Sequence, residues 1–341
     1  MRNAGRAVRL RRFARRVGRA MRGTPVGGSP TVVRVIVAGA RRVSIFAKRR
    51  SVRIAVLAVA LPVFAVGLWI SWTRSGLELG VLQGEAILLM IALVPFTVAC
   101  STWQLRLMTA AAGASVPWWP AARVVTLGAL SGLLPISSGQ VVRGGALIYW
   151  GAGIEAASYA VALDALVWLG VASLYAGVAG MILGIHSLGG LLLALGGIFS
   201  VLAVLVGRRT RLSWSQGIAL QAARLAGVVI EAIRLALSFV ALSAPIELTR
   251  ASVLVAASPY ASLLFFLPGG LGAREGIAAA AAAAVGLSAG VAFIAAALDR
   301  VVGLAVLLAW EGFLVLLGPG AVGGLPGNRV PGPAGGGRRG D

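Results

Sequence analysis

With 341 residues, 59% of them apolar and 12% charged, the chain has the composition of a membrane protein and excludes an ordinary soluble domain. One cysteine, Cys100, excludes an internal disulfide, and one histidine, His186, leaves no His/Cys metal cluster and no Ser–His or Cys–His dyad that does without it. The net charge of +21 sits at the ends, because residues 1–53 hold sixteen Arg/Lys and no acid while the stretch before Arg329 balances twelve bases against nine acids.

Residues 1–51 read as a basic cytoplasmic arm, partly disordered. Val8, Leu10, Phe13 and Val17 among its arginines give a weak amphipathic helix, which Thr24–Pro30 breaks. Two readings stand for the arm. It lies against anionic lipid, worth about 1 kcal/mol per Lys/Arg near the surface, or it is a solvated tail, with Met21 as an alternative start. No small-residue cleavage site follows its first apolar run, so it is not read as a signal peptide. A folded basic face interleaved with aromatics is missing too, which argues against nucleic acid.

Full membrane spans are predicted at 52–72, 81–103, 157–183, 188–206, 216–242 and 289–317. Trp69 and Trp72 mark an aromatic belt on the first. Residues 103–123, with Arg106, Trp118, Trp119 and two prolines, read as an interfacial segment. His186 falls in a short loop between spans and reads as a bland interfacial residue. The pieces 124–134, 141–150, 252–267 and 275–285 are apolar but too short to cross. Residues 318–341 are Gly/Pro-rich and predicted to be a disordered cytoplasmic tail.

Two of these short pairs meet at broken backbone. Leu267-Pro268-Gly269-Gly270-Leu271-Gly272-Ala273-Arg274-Glu275-Gly276 cannot be an ordinary membrane helix. Proline removes a donor, three glycines weaken helix further, and an Arg–Glu pair follows. Leu134-Pro135-Ile136-Ser137-Ser138-Gly139-Gln140-Val141-Val142-Arg143-Gly144 is its earlier echo. Backbone of this kind survives at membrane depth only where protein or trapped water satisfies it, so it lines a cavity.

The positive-inside rule puts both termini and the basic segments 106–123 and 208–211 in the cytoplasm. Parity then makes 124–150 a re-entrant hairpin entered from inside and 252–286 one entered from outside. The fold expected is an all-α integral membrane protein: a polytopic helical bundle of about six spans, plus two re-entrant broken-helix hairpins. Residues 52–317 form one transmembrane domain, whose halves 52–183 and 188–317 are an inverted repeat. Pro135 and Pro268 are 133 apart, Arg143 and Arg274 are 131 apart, and Asp164 and Asp299, in Val-Ala-Leu-Asp-Ala-Leu and Ala-Ala-Leu-Asp-Arg-Val, are 135 apart. Paired broken helices in inverted halves are a transporter architecture with its site near the midplane.

Charge inside a membrane costs about 2.5–3.5 kcal/mol per residue even on the lenient scale, yet the spans keep Asp164, Arg224, Glu231, Arg234, Asp299 and Arg300. Arg224, Glu231 and Arg234 share one helical face, where mutual neutralisation that pins the bundle competes with a binding role. Half-helices starting after Ser138-Gly139 and after Gly272 are expected to aim free N–H groups at the cavity, with Arg143 and Arg274 in the first turn of each. N–H groups plus a guanidinium suit phosphate. The candidate binding set is therefore Arg143, Arg274, Glu275, Ser138, Gly139, Gln140, Gly270, Gly272, Asp164, Asp299, Arg300, Glu231 and Arg234, with Pro135 and Pro268 as the structural breaks. Asp164 and Asp299 read either as counter-charges that hold the arginines in the empty site or as proton carriers. Catalytic residues, metal ligands and cofactors are not assigned.

Pro-x-x-x-Gly-Gln-x-x-Arg at 135–143, Pro-Gly-Gly-Leu-Gly-x-x-Glu at 268–275 and Leu-Asp-Arg at 298–300 together resemble the lysylphosphatidylglycerol synthase transmembrane-region family, also called flippase-like proteins. The resemblance covers about residues 50–318. It implies a multi-pass bacterial plasma-membrane protein with a lipid-flipping role, and maps the motif onto Pro135, Gly139, Arg143, Pro268, Gly270, Gly272 and Glu275. This chain has Gln140 where that family usually carries glutamate. Only a short tail follows the last span, so the soluble transferase activity found in aminoacyl-phospholipid synthases is not carried over.

Three functions follow as expectations. The first is a translocase for an anionic phospholipid or a polyprenyl-phosphate-linked substrate, working by alternate access. The second is a non-transport subunit that docks an envelope enzyme through the basic arm. The third is an intramembrane enzyme limited to Asp, Glu and Arg for its chemistry.

Overall fold

The computed structural model describes residues 62, 64–73, 82–131, 138–210, 212–263 and 272–316, and among these the regular structure is entirely helical. In chain order the helices are α1 (Phe64–Thr73), α2 (Gly84–Ala111), α3 (Trp118–Ser131), α4 (Ser138–Tyr149), α5 (Ile154–Ile182), α6 (His186–Gly207), α7 (Trp214–Ala241), α8 (Leu248–Leu254), α9 (Ala257–Leu263), α10 (Ala273–Ala284) and α11 (Ala289–Leu316). The arm 1–51, the tail 318–341, Pro135, Pro268 and Gly270 lie outside the described residues, as do the first ten residues of the expected span 52–72.

Helices α2, α5, α6, α7 and α11 have 28, 29, 22, 28 and 28 residues. At about 1.5 Å per residue each can cross a hydrocarbon layer of about 30 Å. Four of them are also apolar enough to do so unaided. The exception is α7, whose Arg224 and Arg234 are buried inside the bundle. Its start is fixed by a reciprocal cap: Gln216 N donates to Ser213 Oγ at 3.3 Å while Ser213 N donates to Gln216 Oε1 at 3.0 Å. This is a polytopic helical membrane protein.

The short helices match the expected hairpins in length. Helices α3, α4 and α10 have 14, 12 and 12 residues, or about 18–21 Å of rise, which is too little to cross. Helix α3 packs on α4, and α9 packs on α10. A Cβ on Gly139 would lie 3.1 Å from the Gly128 carbonyl oxygen, so the two arms of the first hairpin touch through glycine backbone. The small side chains of the Ala278–Ala284 run work in the same way: Ala278 and Ala282 are fully buried against the main core around Phe239, Leu235 and Leu254.

Two boundaries differ from the sequence expectation. Helix α2 does not stop at Trp103 but runs to Ala111, because Leu105 and Met108 are buried and Arg106 has partners beyond the helix. Its Nε donates to the Val116 carbonyl at 3.3 Å, and its guanidinium lies over the Trp118 ring at 5.8 Å. The interfacial segment thus shrinks to the turn before α3. On the other side, the piece expected at 252–267 is two seven-residue helices, α8 and α9, that begin four residues earlier.

Close helix contacts use small residues throughout. Along α5 and α6 a Cβ on Gly177 would meet Leu193 N at 2.8 Å, and one on Gly196 would meet Leu174 Cγ at 2.7 Å. On the other side of the molecule a Cβ on Gly67 of α1 would lie 2.9 Å from the Phe293 ring of α11. Helices α2 and α7 pack antiparallel, with Gln83 N at the start of one donating to Ala241 O at the end of the other at 3.0 Å. Their starts are 130 residues apart, and those of the pairs α4/α10 and α5/α11 are both 135 apart.

Candidate functional site

The hairpin arms α4 and α10 and the long helices α5, α7 and α11 converge on one cavity of about 490 Å³. That is within the roughly 300–1,000 Å³ of small-molecule sites. Its walls are apolar residues such as Val94, Ala129 and Leu307, with five arginines among them: Arg143, Arg224, Arg234, Arg274 and Arg300.

Each arginine has a carboxylate. Asp164, fully buried on α5, accepts from Arg143 Nη1 at 2.7 Å on one oxygen and from Arg224 Nη2 at 2.5 Å on the other. Asp299 on α11 repeats the arrangement with Arg274 Nη2 and Arg234 Nη2, both at 2.8 Å. The Arg234 contact with Oδ1 is an ion pair rather than an aligned hydrogen bond, since the same nitrogen donates to the Asp299 carbonyl at 3.0 Å. Room for that guanidinium comes from Gly303, where a Cβ would lie 2.8 Å from Nη2. Arg300 Nη1 stands 3.2 Å from Glu275 Oε1. Every aspartate oxygen therefore takes one guanidinium nitrogen, so a hairpin arginine and an α7 arginine are clamped together on each acid. Removing one member of such a buried set costs about 3–5 kcal/mol.

Glu275 is committed inward. Its other oxygen accepts from Gly272 N at 2.9 Å, across a turn in which Gly272 takes φ +79°, a conformation that favours glycine. The N-terminus of α10 thus already holds a carboxylate. That corrects the expectation for one N–H group, Gly272 N, which is taken by its own helix rather than offered to the cavity. Arg143 is corrected as well: it is the sixth residue of α4, in the second turn, whereas Arg274 is the second residue of α10.

Of the remaining candidates, Gly139, Gln140, Glu231, Arg234, Asp299 and Arg300 line the cavity. Asp164, Glu275 and Gly272 stand behind the arginines. Ser138 opens α4, and its backbone alone is described. Gln140 Oε1 and Glu231 Oε2 are buried without a hydrogen-bond partner. Among the described residues Glu231 is the one carboxylate of the cavity with no ion pair, though it is within electrostatic reach of Arg274, Asp299, Arg224 and Arg234.

Sequence reasoning left three contributors out of the candidate set. Arg224 is the second clamp on Asp164, and its place on the Glu231–Arg234 face was the available signal. Trp168 lies on α5 one turn after Asp164, with its ring 5.3 Å from the Arg224 guanidinium. Gly303 carries no signal in one sequence. A further polar contact closes one side of the cavity: Thr126 on α3 donates to Glu311 on α11, which also faces Arg123 at 3.6 Å. Across α5, Ser173 and Tyr175 bond to Tyr260 and Ser252 at 2.8 and 2.9 Å. Among the described residues no three His, Cys, Asp or Glu side chains gather as a metal site.

No curated protein matches the chain, and no solved structure does. The family model for the lysylphosphatidylglycerol synthase TM region matches residues 51–310, which takes in every residue lining the cavity. On that match, and on a helical bundle with arginine–aspartate clamps where the family's motifs fall, the chain belongs to the lysylphosphatidylglycerol synthase transmembrane-region family.

Proposed function

We propose that the protein is a translocase for an anionic lipid or a lipid-linked headgroup, held in the arginine cavity between the hairpins. The observation that carries this reading is the cavity's charge: five guanidiniums face four carboxylates inside an apolar bundle. A bundle that needed only to be pinned could use apolar packing, which is at least as stabilising as buried ion pairs. An anion entering the cavity can take the place of Asp164 or Asp299 on their arginines, so that the buried cations are never left bare. Asp164 and Asp299 are read as the counter-charges of the empty site, and the set Arg143, Arg274, Arg234, Arg300, Gln140 and Gly139 as the surface offered to the headgroup.

Alternate access is supplied by movement of the half 52–183 against the half 188–317, in a bacterial plasma membrane with both termini cytoplasmic. The antiparallel α2–α7 pair and the near-equal offsets between helices, 130, 135 and 135 residues, support this inverted arrangement. No enzymatic role is assigned. The test is reconstitution into vesicles containing phosphatidylglycerol with a headgroup-accessible reporter. Wild type should equilibrate lipid between leaflets, and Arg274→Ala should not, at equal protein incorporation. Unchanged lipid distribution in that variant refutes the reading.

The basic arm, with sixteen Arg/Lys in residues 1–53, favours one alternative: a membrane subunit that docks an envelope-lipid or glycan-modifying enzyme. Deleting residues 1–50 separates the two, since a translocase keeps its activity and a docking subunit loses its partner.

A further inference from the structure

The arginines of the cavity form two groups, not one. Arg224 and Arg234 are ten residues apart on α7, which places them about 15 Å apart along the helix axis. Arg224 shares Asp164 with Arg143, and Arg234 shares Asp299 with Arg274. The first group is two arginines on one acid. The second is Arg234, Arg274 and Arg300 on Asp299 and Glu275. Each group therefore keeps one positive charge in excess.

Each group also keeps an unused donor. The Nε atoms of Arg224 and Arg234 are buried and lack a hydrogen-bond partner, and both residues are only 7% exposed. A buried donor on a cation is costly to leave unmade. It occurs twice, on the α7 arginine of each group, and both side chains line the cavity. A guanidinium whose Nη2 is held by aspartate while its buried Nε lacks a partner has an unmet donor that an oxyanion would satisfy.

Between the groups stands Glu231, seven residues after Arg224 and three before Arg234, with no ion pair among the described residues. It is within electrostatic reach of charges from both groups, Arg224 of the first and Arg274, Asp299 and Arg234 of the second. A carboxylate at that point disfavours an anion midway, so an anion in the cavity has two resting places rather than one.

We propose that the cavity is a two-station path for a phosphate-type oxyanion carrying one negative charge, with Arg143/Arg224 as one station and Arg234/Arg274 as the other. The anion takes up the open Nε edge at each, and the aspartate remains to hold the arginine pair when the anion moves on. This rests on the translocase reading and adds to it that Arg224 is a ligand residue beside Arg234, that both bind through Nε, and that two anions can be held at once.

The test is equilibrium dialysis of the purified full chain in detergent with water-soluble dihexanoyl phosphatidylglycerol, and with inorganic phosphate in a parallel series. Wild type should bind two equivalents of the lipid. Arg224→Gln and Arg234→Gln should each bind one. Arg224→Lys keeps the charge on Asp164 but lacks Nε, so it separates folding from recognition: it should elute as a monodisperse species and lose at least tenfold in affinity at one station. Phosphate that competes at both stations assigns recognition to the free oxyanion, and phosphate that does not assigns it to the lipid headgroup. One equivalent in wild type, abolished by either glutamine variant, overturns the two stations and leaves the translocase reading intact. Two equivalents retained in either glutamine variant, or wild-type affinity in Arg224→Lys, overturns the role of the α7 arginines. No saturable binding of either probe overturns both readings.

Discussion

Replacing Asp164 by asparagine removes the charge that holds Arg143 and Arg224 while leaving the volume almost unchanged. The consequence differs for the two arginines. The Arg224 side chain is 8% exposed and, among the described residues, has no other acid within ion-pair distance, whereas that of Arg143 is 18% exposed and turns toward the cavity. The uncompensated buried charge of Arg224 sets the scale, about 3–5 kcal/mol for breaking a buried set. Arg143 adds less, because cavity water can reach it. Adding Arg224→Gln to Asp164→Asn removes the stranded charge, so the double variant should be more stable than Asp164→Asn alone, with a coupling of about 2 kcal/mol or more in the cycle. The assay is thermal unfolding in detergent followed by a thiol-reactive dye. Cys100 is the only cysteine and is half-buried, so labelling reports opening of α2. If the two single effects simply add, Asp164 and Arg224 are not energetically coupled and the account of the clamps is wrong.

Two further outcomes follow from the packing and from the unpaired acid. Gly196→Ala and Gly177→Ala each place a Cβ within 2.9 Å of the facing helix, at Leu174 and Leu193. Each should lower stability by about 1–3 kcal/mol through overpacking, which the same unfolding assay checks, while Gly197→Ala, with open space at its Cβ, should be silent. Glu231→Gln removes a buried carboxylate that has no ion pair among the described residues. Stability should hold or rise, and dihexanoyl phosphatidylglycerol should bind several-fold more tightly in equilibrium dialysis. A stability loss above about 2 kcal/mol would mean that Glu231 holds a partner worth as much as a buried ion pair.

The long helices and the aspartate pair were legible because both leave short-range signals. Apolar runs of twenty residues announce spans, and Leu163-Asp164 and Leu298-Asp299 stand out as acids that hydrocarbon does not tolerate alone. The partners of those acids were not legible. Arg224 reaches Asp164 across sixty residues of chain, and the sequence shows only that Arg224, Glu231 and Arg234 share a face. That face reads equally as self-neutralising, and the structure instead sends its two arginines to different aspartates and leaves Glu231 without an ion pair among the described residues. The first-turn placement of Arg143 failed for a related reason. Glycines suggest where a helix begins, but Ser138 and Gly139 are already inside α4. Glu275 was expected to face a ligand because it follows a break, yet an acid at the third position of a helix satisfies the cap of its own helix first.

The first hairpin has arms that belong to different neighbours. Helix α3 lies on α11 and is tied there through Thr126 and Glu311, while α4 lies on α5 and is tied there through Arg143 and Asp164. The arms themselves meet at Gly128 and Gly139, where only backbone stands between them. At that glycine contact a change in the angle between α3 and α4 has no side chains to unpack. On the translocase reading proposed above, a displacement at one long helix would reach Arg143 as a rotation of its own short helix, and would release an anion without pulling a cation out of the membrane interior.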